Sequence, residues 1–321
     1  MKFSSDFPHY SHLFGPVMSR RLGLSLGVDL VPLKTCTYNC IYCECGATTI
    51  KTSRRMVFFP VSEVLEEIES FLSSSPVLDY ITFSGSGEPT LSLSIGPVIR
   101  FIKEKYPSYR VAVLTNGSLL SNSDVRMDLL QADLILPTLS TVYPNTFESI
   151  HHPISEFSVE DIITGIMRFK TEYTGKIWME VFIIPGLNSS DVEIGGLREI
   201  ITTINPDRVQ INTMDRPGTE DWVRAPDAVT INRILTLLNM KNAEWVGSPS
   251  QSYIANTGDS DGSYQVYEMI RRRPCTIEDI TASTRLDTTE VVRILQQLTH
   301  KYDLHSKQEI RGLFYYIKER T

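Results

Sequence analysis

The chain of 321 residues has few cysteines, no excess of positive charge and no long apolar run. No stretch approaches the roughly 20 consecutive apolar residues that a membrane-spanning helix needs. The first ten residues lack the apolar core of a signal peptide. The net charge of -7 argues against a surface that coats nucleic acid. These absences predict a cytoplasmic protein that does not bind membranes.

The five cysteines are distributed very unevenly. Four of them lie within ten residues, at Cys36, Cys40, Cys43 and Cys45, whereas Cys275 stands alone. Structural disulfides close long loops, and bridges within this group would close almost none. Grouped thiols in a reducing compartment therefore indicate a metal site. The isolated Cys275 is predicted to be a buried apolar residue.

Strand and helix patterns alternate along the first three quarters of the chain. Apolar runs typical of covered parallel strands fall at 28–33, 80–83, 110–114, 133–139, 177–184 and 207–211. Helical patterns lie between them, at 61–72, 93–106, 122–131, 158–170, 191–204 and 227–238. Six strand–helix units favour an α/β fold with a partial parallel (β/α)6 barrel, and a doubly wound open sheet is the alternative.

A change of composition marks a predicted domain boundary. Residues 247–263 are rich in Gly, Ser and Asp and are predicted to form a flexible linker. The barrel domain is therefore assigned to 1–246, with 14–46 as its N-terminal segment and cysteine loop. Beyond the linker, helical patterns at 264–273, 277–283 and 288–301 precede an alternating stretch at 304–318. This order predicts a small winged helix-turn-helix domain over 264–321.

The charge of this second domain leaves its partner open. Residues 264–321 contain 10 Lys and Arg against 8 Asp and Glu, an excess of two positive charges. That asymmetry fits a modest nucleic-acid surface, but winged helices also dock proteins. Contact with nucleic acid and contact with protein through 264–321 are both hypotheses.

The spacing of the first three cysteines indicates an iron–sulfur cluster. Cys36, Cys40 and Cys43 follow a predicted strand in a Cys-x3-Cys-x2-Cys pattern. A fully ligated cubane takes four thiolates, so three leave one iron open. Cys45 could instead complete a four-thiolate zinc site or a closed cluster, although a single residue separates it from Cys43. We expect Cys45 to be a non-ligand thiol beside the cluster.

A second motif follows the second predicted strand, at Gly85-Ser86-Gly87-Glu88. Glycines let a backbone approach a ligand closely, and Glu88 supplies an anion for an ammonium group. The segment is not a dinucleotide fingerprint, because Thr90 stands where the third glycine would be. On its own it could be merely a turn. Its place at a strand end puts it on the same face as the cysteines, where barrel active sites collect.

The cysteine pattern, with the aromatic Tyr42 before its last member, resembles the signature of the radical S-adenosylmethionine (SAM) superfamily. The Gly-Glu motif resembles the glycine-rich segment that binds the SAM amino group there. The resemblance implies a [4Fe–4S] cluster on Cys36, Cys40 and Cys43, whose open iron chelates SAM. It implies reductive cleavage of SAM to methionine and a 5′-deoxyadenosyl radical that abstracts hydrogen from a substrate. A flavodoxin- or ferredoxin-type protein would supply the electron.

The same resemblance implies a set of SAM contacts but assigns no catalytic residue. The set comprises Tyr42, Gly85, Ser86, Gly87, Glu88, Asn116 and Ser140. For Asn116 and Ser140, ordinary roles in turns are an equal alternative. Glu180 and Asn212 are predicted to point into the barrel, and His151 and His152 to be surface or packing residues.

Two longer segments resemble a bacterial and archaeal group near the tRNA wyosine-synthesis enzymes. These segments are residues 14–36 and 180–188. The wyosine enzymes carry additional N-terminal cysteines, and none precedes Cys36 here, which argues against the wyosine reaction itself. The substrate could be a macromolecule such as tRNA or a protein. The competing hypothesis is a cluster- or SAM-responsive DNA-binding regulator with the winged helix as its output.

Overall fold

The computed structural model describes residues 10–85, 87–246, 262–284 and 286–317. Most of the predicted linker, 247–261, lies outside the described residues. None of the helices in these ranges combines the length and hydropathy that a bilayer-spanning segment needs.

An eight-stranded sheet forms the body of the molecule, in the order β1-β2-β5-β6-β7-β8-β9-β10. The strands are β1 (Leu13–Ser19), β2 (Gly23–Val28), β3 (Thr35–Cys36), β4 (Ile50–Lys51), β5 (Tyr80–Phe83), β6 (Val111–Thr115), β7 (Leu134–Pro137), β8 (Lys176–Phe182), β9 (Arg208–Asn212), β10 (Ala243–Trp245), β11 (Leu304–Glu309) and β12 (Gly312–Ile317). Only the β1–β2 pair of the large sheet is antiparallel; the other pairs are parallel. The predicted α/β class with a parallel sheet is confirmed.

Helices connect the parallel strands, as the βα pattern requires. They are α1 (Val61–Leu72), α2 (Ile95–Lys105), α3 (Ser123–Leu129), α4 (Pro144–His151), α5 (Val159–Glu172), α6 (Asp191–Ile204), α7 (Ala228–Leu238), α8 (Gly262–Arg272), α9 (Ile277–Thr284) and α10 (Thr288–Thr299). Side-chain caps fix several starts; Ser158, for example, forms a capping box with Asp161. The buried faces of α1 to α7 pack on the strands in one large apolar core.

The structure corrects the sequence interpretation at the N-terminal edge of the sheet. The first parallel strand was predicted at 28–33, but β2 ends at Val28. Its partner β1 was not predicted, because Gly15 and Pro16 interrupt the strand pattern. Gly27 has a packing reason: a Cβ there would lie 2.0 Å from the ring of Phe14, on β1. The short helix α4 and the edge strand β10 were also missed.

Residues 262–317, called here the C-terminal unit, contain three helices followed by the β11–β12 hairpin. They enclose a small apolar cluster of their own around Val266, Ile294 and Leu295. Cys275 is fully buried in this unit, as predicted, and its backbone pairs with Tyr315.

Ion pairs join the C-terminal unit to the barrel, and this contact is called the junction. Arg272 binds Asp29, Arg311 binds Asp215, and Arg216 Nη1 lies 2.5 Å from Asp279. The junction covers the edge of the sheet at which the parallel strands end.

Candidate functional site

The carboxyl ends of the parallel strands open into one cavity of about 1550 Å³. Its lining includes the loop after β2, the loop after β5 and the final residues of β6, β8 and β9. This is the face at which barrel enzymes place their chemistry. The cavity therefore brings together the cysteine pattern and the Gly-Glu motif, which lie apart in the sequence.

Three cysteines line the cavity and carry free thiols: Cys36, Cys40 and Cys43. Neighbouring polar groups hold the first two in place. Asn116 Nδ2 donates to Cys36 Sγ at 3.5 Å and to Thr37 Oγ1 at 2.8 Å. His151 Nδ1 lies 3.3 Å from Cys40 Sγ.

His151 is a packing residue, as the sequence predicted, with an additional polar contact. It is buried, and its ring packs against Tyr38, Tyr42 and Phe147. Burial lowers the pKa of His151 to about 3, although the charge of Glu180 raises it. The imidazole is therefore neutral at physiological pH.

The three thiols fit the donor set of an iron–sulfur cluster, whose usual ligands are Cys thiolates. Burial, followed by the charge of Glu88, raises the pKa of Cys36 to about 12, and burial also raises that of Cys40. Such thiols become thiolates when a metal supplies positive charge. Across the described ranges, no three Cys, His, Asp or Glu side chains converge closely enough for one ion. A cubane instead takes one thiolate on each iron, so its ligands stand further apart.

Cys45 lies beside the other three thiols and also lines the cavity. Its Sγ donates to the carbonyl oxygen of Gly85 at 2.9 Å. A contact with Cys43, together with burial, raises the pKa of the Cys45 thiol. Cys45 thus connects the cysteine loop, residues 35–46, to the Gly-Glu segment, residues 85–88.

Glu88 is buried and accepts hydrogen bonds from the nearby Thr90 and from the end of β6. Its Oε1 accepts from Thr115 Oγ1 at 2.7 Å and from Thr90 Oγ1 at 2.5 Å. Its Oε2 accepts from the backbone N of Asn116 at 2.8 Å. Burial raises the pKa of Glu88, and these hydrogen bonds act against that shift. The carboxylate therefore ties the loop after β5 to the end of β6, a role the sequence did not indicate.

The glycines of the Gly-Glu segment are required by close backbone packing. A Cβ on Gly87 would lie 1.9 Å from the carbonyl oxygen of Thr35. The next residue, Glu88, donates its backbone N–H to that same oxygen at 3.0 Å. Gly85 has a φ of +99°, in the region that favours glycine. Ser86 lies outside the described residues.

The remaining predicted SAM contacts divide into two groups. Tyr42 and Asn116 line the cavity, and the Tyr42 ring stacks on Phe182 with centroids 3.9 Å apart. Ser140 is buried, and its Oγ accepts a hydrogen bond from the backbone N of Phe182 at 3.2 Å. Ser140 is not among the residues that line the cavity.

A buried polar network occupies the base of the cavity around Glu180. The Glu180 carboxylate accepts from Arg21 Nη1 at 2.6 Å, Thr138 Oγ1 at 2.6 Å and Asn212 Nδ2 at 2.7 Å. Burial raises the pKa of Glu180, but Arg21 and the hydrogen bonds outweigh it, so the net shift is downward. The sequence placed Glu180 and Asn212 here but missed Arg21, because the β1–β2 hairpin that carries it was not predicted.

The C-terminal unit contributes one wall of the same cavity. Lining residues from α8 and α9 include Glu268, Met269, Asp279 and Thr281, and Arg273 follows α8. Nothing in the sequence motifs indicated this contribution, since it arises from packing between segments distant in the chain.

Fold and site define a parallel α/β protein whose cysteine loop lies at the carboxyl edge of its sheet. Residues 30–194, just over half of the chain, match the family model described as "Radical SAM superfamily". The chain belongs to the radical SAM superfamily. Members of this superfamily use a [4Fe–4S] cluster and SAM.

Several curated proteins resemble the chain at about one third identity. A "UPF0026 protein" of Helicobacter pylori (strain ATCC 700392 / 26695) is 32% identical over 90% of this chain and 92% of its own length. One from Methanocaldococcus jannaschii is 31% identical over 70% of each chain. A protein named "GTPase Obg" from Brachyspira hyodysenteriae is 33% identical over 89% of this chain. The chain spans only 42% of that last protein.

Solved structures share the fold at low identity. A radical SAM methyltransferase from Sphaerobacter thermophilus has a TM-score of 0.54 at 17% identity, covering 69% of this chain and 66% of that one. Streptococcus suis SuiB bound to SAM has a TM-score of 0.53 at 14% identity, covering 75% of this chain and 56% of that one. At these identities the likeness concerns the fold alone.

Proposed function

We propose that the chain holds a [4Fe–4S] cluster on Cys36, Cys40 and Cys43 and binds SAM beside it, against residues 85–88. The observation that carries this proposal is the single cavity lined by the three thiols, Gly85, Gly87 and Glu88. When bound, these groups supply reductive cleavage of SAM to a 5′-deoxyadenosyl radical, which abstracts hydrogen from a substrate.

The protein's own contribution is to position the reactants and exclude water. Asn116 and His151 orient the thiols of Cys36 and Cys40 through the contacts described above. Tyr42, stacked on Phe182, provides an aromatic surface beside the cysteine loop. The C-terminal unit covers one side of the cavity and limits its exposure to solvent.

The test is anaerobic reconstitution with iron and sulfide, followed by addition of SAM and a strong reductant. The wild-type chain should contain about four irons per chain and form 5′-deoxyadenosine. Cys40→Ala should lose the cluster and the product, whereas Cys275→Ala, in the core of the C-terminal unit, should retain both. Zinc in place of iron, or equal product from Cys40→Ala, would refute the proposal.

The finer assignments remain predictions. We propose that the three helices and hairpin of the C-terminal unit are a winged helix-turn-helix, because their order matches that motif. A flavodoxin- or ferredoxin-type donor, a cytoplasmic location and the likeness to the wyosine-synthesis group rest on the sequence. The hairpin does not support the hypothesis of a DNA-binding regulator. Its cations Lys307 and Arg311 form ion pairs with Asp221 and Asp215, which precede the C-terminal unit in the chain.

A further inference from the structure

We propose that Arg273, supplied by the C-terminal unit, binds an anionic group of the substrate inside the active-site cavity. The group is a carboxylate or a phosphate. This inference rests on the proposed function, because it names the class of molecule that shares the cavity with SAM.

The first argument is the position of Arg273. It follows the end of α8, is half-buried and lines the cavity. Its backbone N–H donates to the carbonyl oxygen of Met269 at 3.2 Å, which fixes its place relative to the helix. Arg273 is therefore part of the wall that the C-terminal unit contributes to the cavity.

The second argument is charge pairing. Five other arginines line the cavity, and each has a carboxylate partner. The pairs are Arg20 with Glu44, Arg21 with Glu180, Arg216 with Asp279, Arg272 with Asp29 and Arg311 with Asp215. The Arg273 side chain has neither an ion pair nor a hydrogen bond to any part of the chain that the structure describes. A half-buried guanidinium without a counter-ion is suited to an incoming anion, and its planar fork matches carboxylate and phosphate.

The third argument is the volume of the cavity. A cavity for one small ligand usually measures about 300–1,000 Å³, and this one measures about 1550 Å³. SAM therefore leaves space for a second molecule. The superfamily resemblance implies that an open iron of the cluster would chelate SAM, which would leave Arg273 for that second molecule. Glu278 also lines the cavity but is exposed.

The experiment measures anion binding to the reconstituted full-length protein with its cluster oxidised and SAM present at saturation. Pyrophosphate and oxalate serve as the phosphate and carboxylate probes in two calorimetric titrations. At least one probe should bind the wild type, and Arg273→Ala should weaken that binding about tenfold or more, as expected for a lost charged hydrogen bond. Arg273→Lys should fall between the two. Arg293→Ala, an exposed arginine of the same unit, should match the wild type.

A separate titration with SAM tests whether Arg273 binds the carboxylate of SAM or an anionic group of a second molecule. SAM affinity should be the same in the wild type and in Arg273→Ala. The inference is overturned if neither probe binds, if both proteins bind the probes equally, or if Arg273→Ala weakens SAM binding instead. Failure of the wild type to assemble iron or to cleave SAM would refute the proposed function, and it would do so independently of these titrations.

Discussion

The interior of the barrel and the junction with the C-terminal unit are held together by different forces. The barrel core is a continuous set of fully buried aliphatic and aromatic side chains. The junction depends on arginine–carboxylate pairs, centred on Arg216, Asp215 and Asp279. Apolar burial is favourable on its own, whereas a buried ion pair must first offset the cost of taking both charges out of water. We therefore expect a rigid barrel that holds the thiols in place. The C-terminal unit should separate from the barrel more easily than the barrel itself opens.

The largest expected effect comes from removing one buried phenylalanine in each region. Phe169 in α5 and Phe314 in β12 are both 0% exposed. Each change to Ala should cost about 3–5 kcal/mol, because a large cavity forms. If the regions unfold separately, calorimetry should show two transitions, with Phe169→Ala lowering one and Phe314→Ala the other. A single transition that both variants shift equally would show that the two regions form one cooperative unit. That result would contradict the expected difference between the barrel and the C-terminal unit.

A somewhat smaller effect should follow from Arg216→Met at the junction. Arg216 is 9% exposed and its partner Asp279 is 15% exposed. Removing the guanidinium takes one of two arginine partners from the buried carboxylate of Asp279, which keeps Arg311. The cost should be at most about 3 kcal/mol, measurable by urea denaturation. Arg293→Ala removes an arginine that is 53% exposed, and it should change stability by less than about 1 kcal/mol. Equal effects of the two variants would mean that the junction behaves as ordinary surface.

The smallest effect is a weakening of the junction in acid through Asp279. Burial raises the pKa of this carboxyl, but Arg216, the Thr276 N–H and Arg311 outweigh it, so the pKa lies below its ordinary value of 3.8. A group with a lowered folded-state pKa stabilises the fold above its unfolded pKa and loses that contribution as the pH falls through the folded one. The protection of α9 amides from hydrogen exchange, relative to the intrinsic exchange rate at the same pH, should therefore fall below about pH 4. Asp279→Asn should remove this dependence, and an unchanged pH profile would contradict the assignment.

Local patterns in the sequence predicted most of the barrel. Tyr80–Phe83, Val61–Leu72 and Asp191–Ile204 have the predicted bounds, because apolar period, caps and turn residues agree there. The first strand was misplaced, since Leu30 and Val31 continue the apolar run after β2 has ended. Burial alone does not mark a strand.

The candidate site was predictable only where a motif is compact. The three cysteines and the Gly-Glu segment are short and carry their own spacing, and the structure places them in one cavity. Arg21 and Arg273 carry no such local signal. They reach the cavity through the β1–β2 hairpin and the junction, which form by contacts between distant parts of the chain.

The contact between Gly87 and Thr35 has a consequence for how the two motifs relate. A parallel bridge links these residues, and no side chain fits between them. The first residues of the cysteine loop and the Gly-Glu segment, some fifty positions apart in the chain, are thereby set at one fixed distance from each other. A substitution at position 87 would push the two segments apart, so this one glycine sets the spacing between the cysteine loop and the Gly-Glu segment.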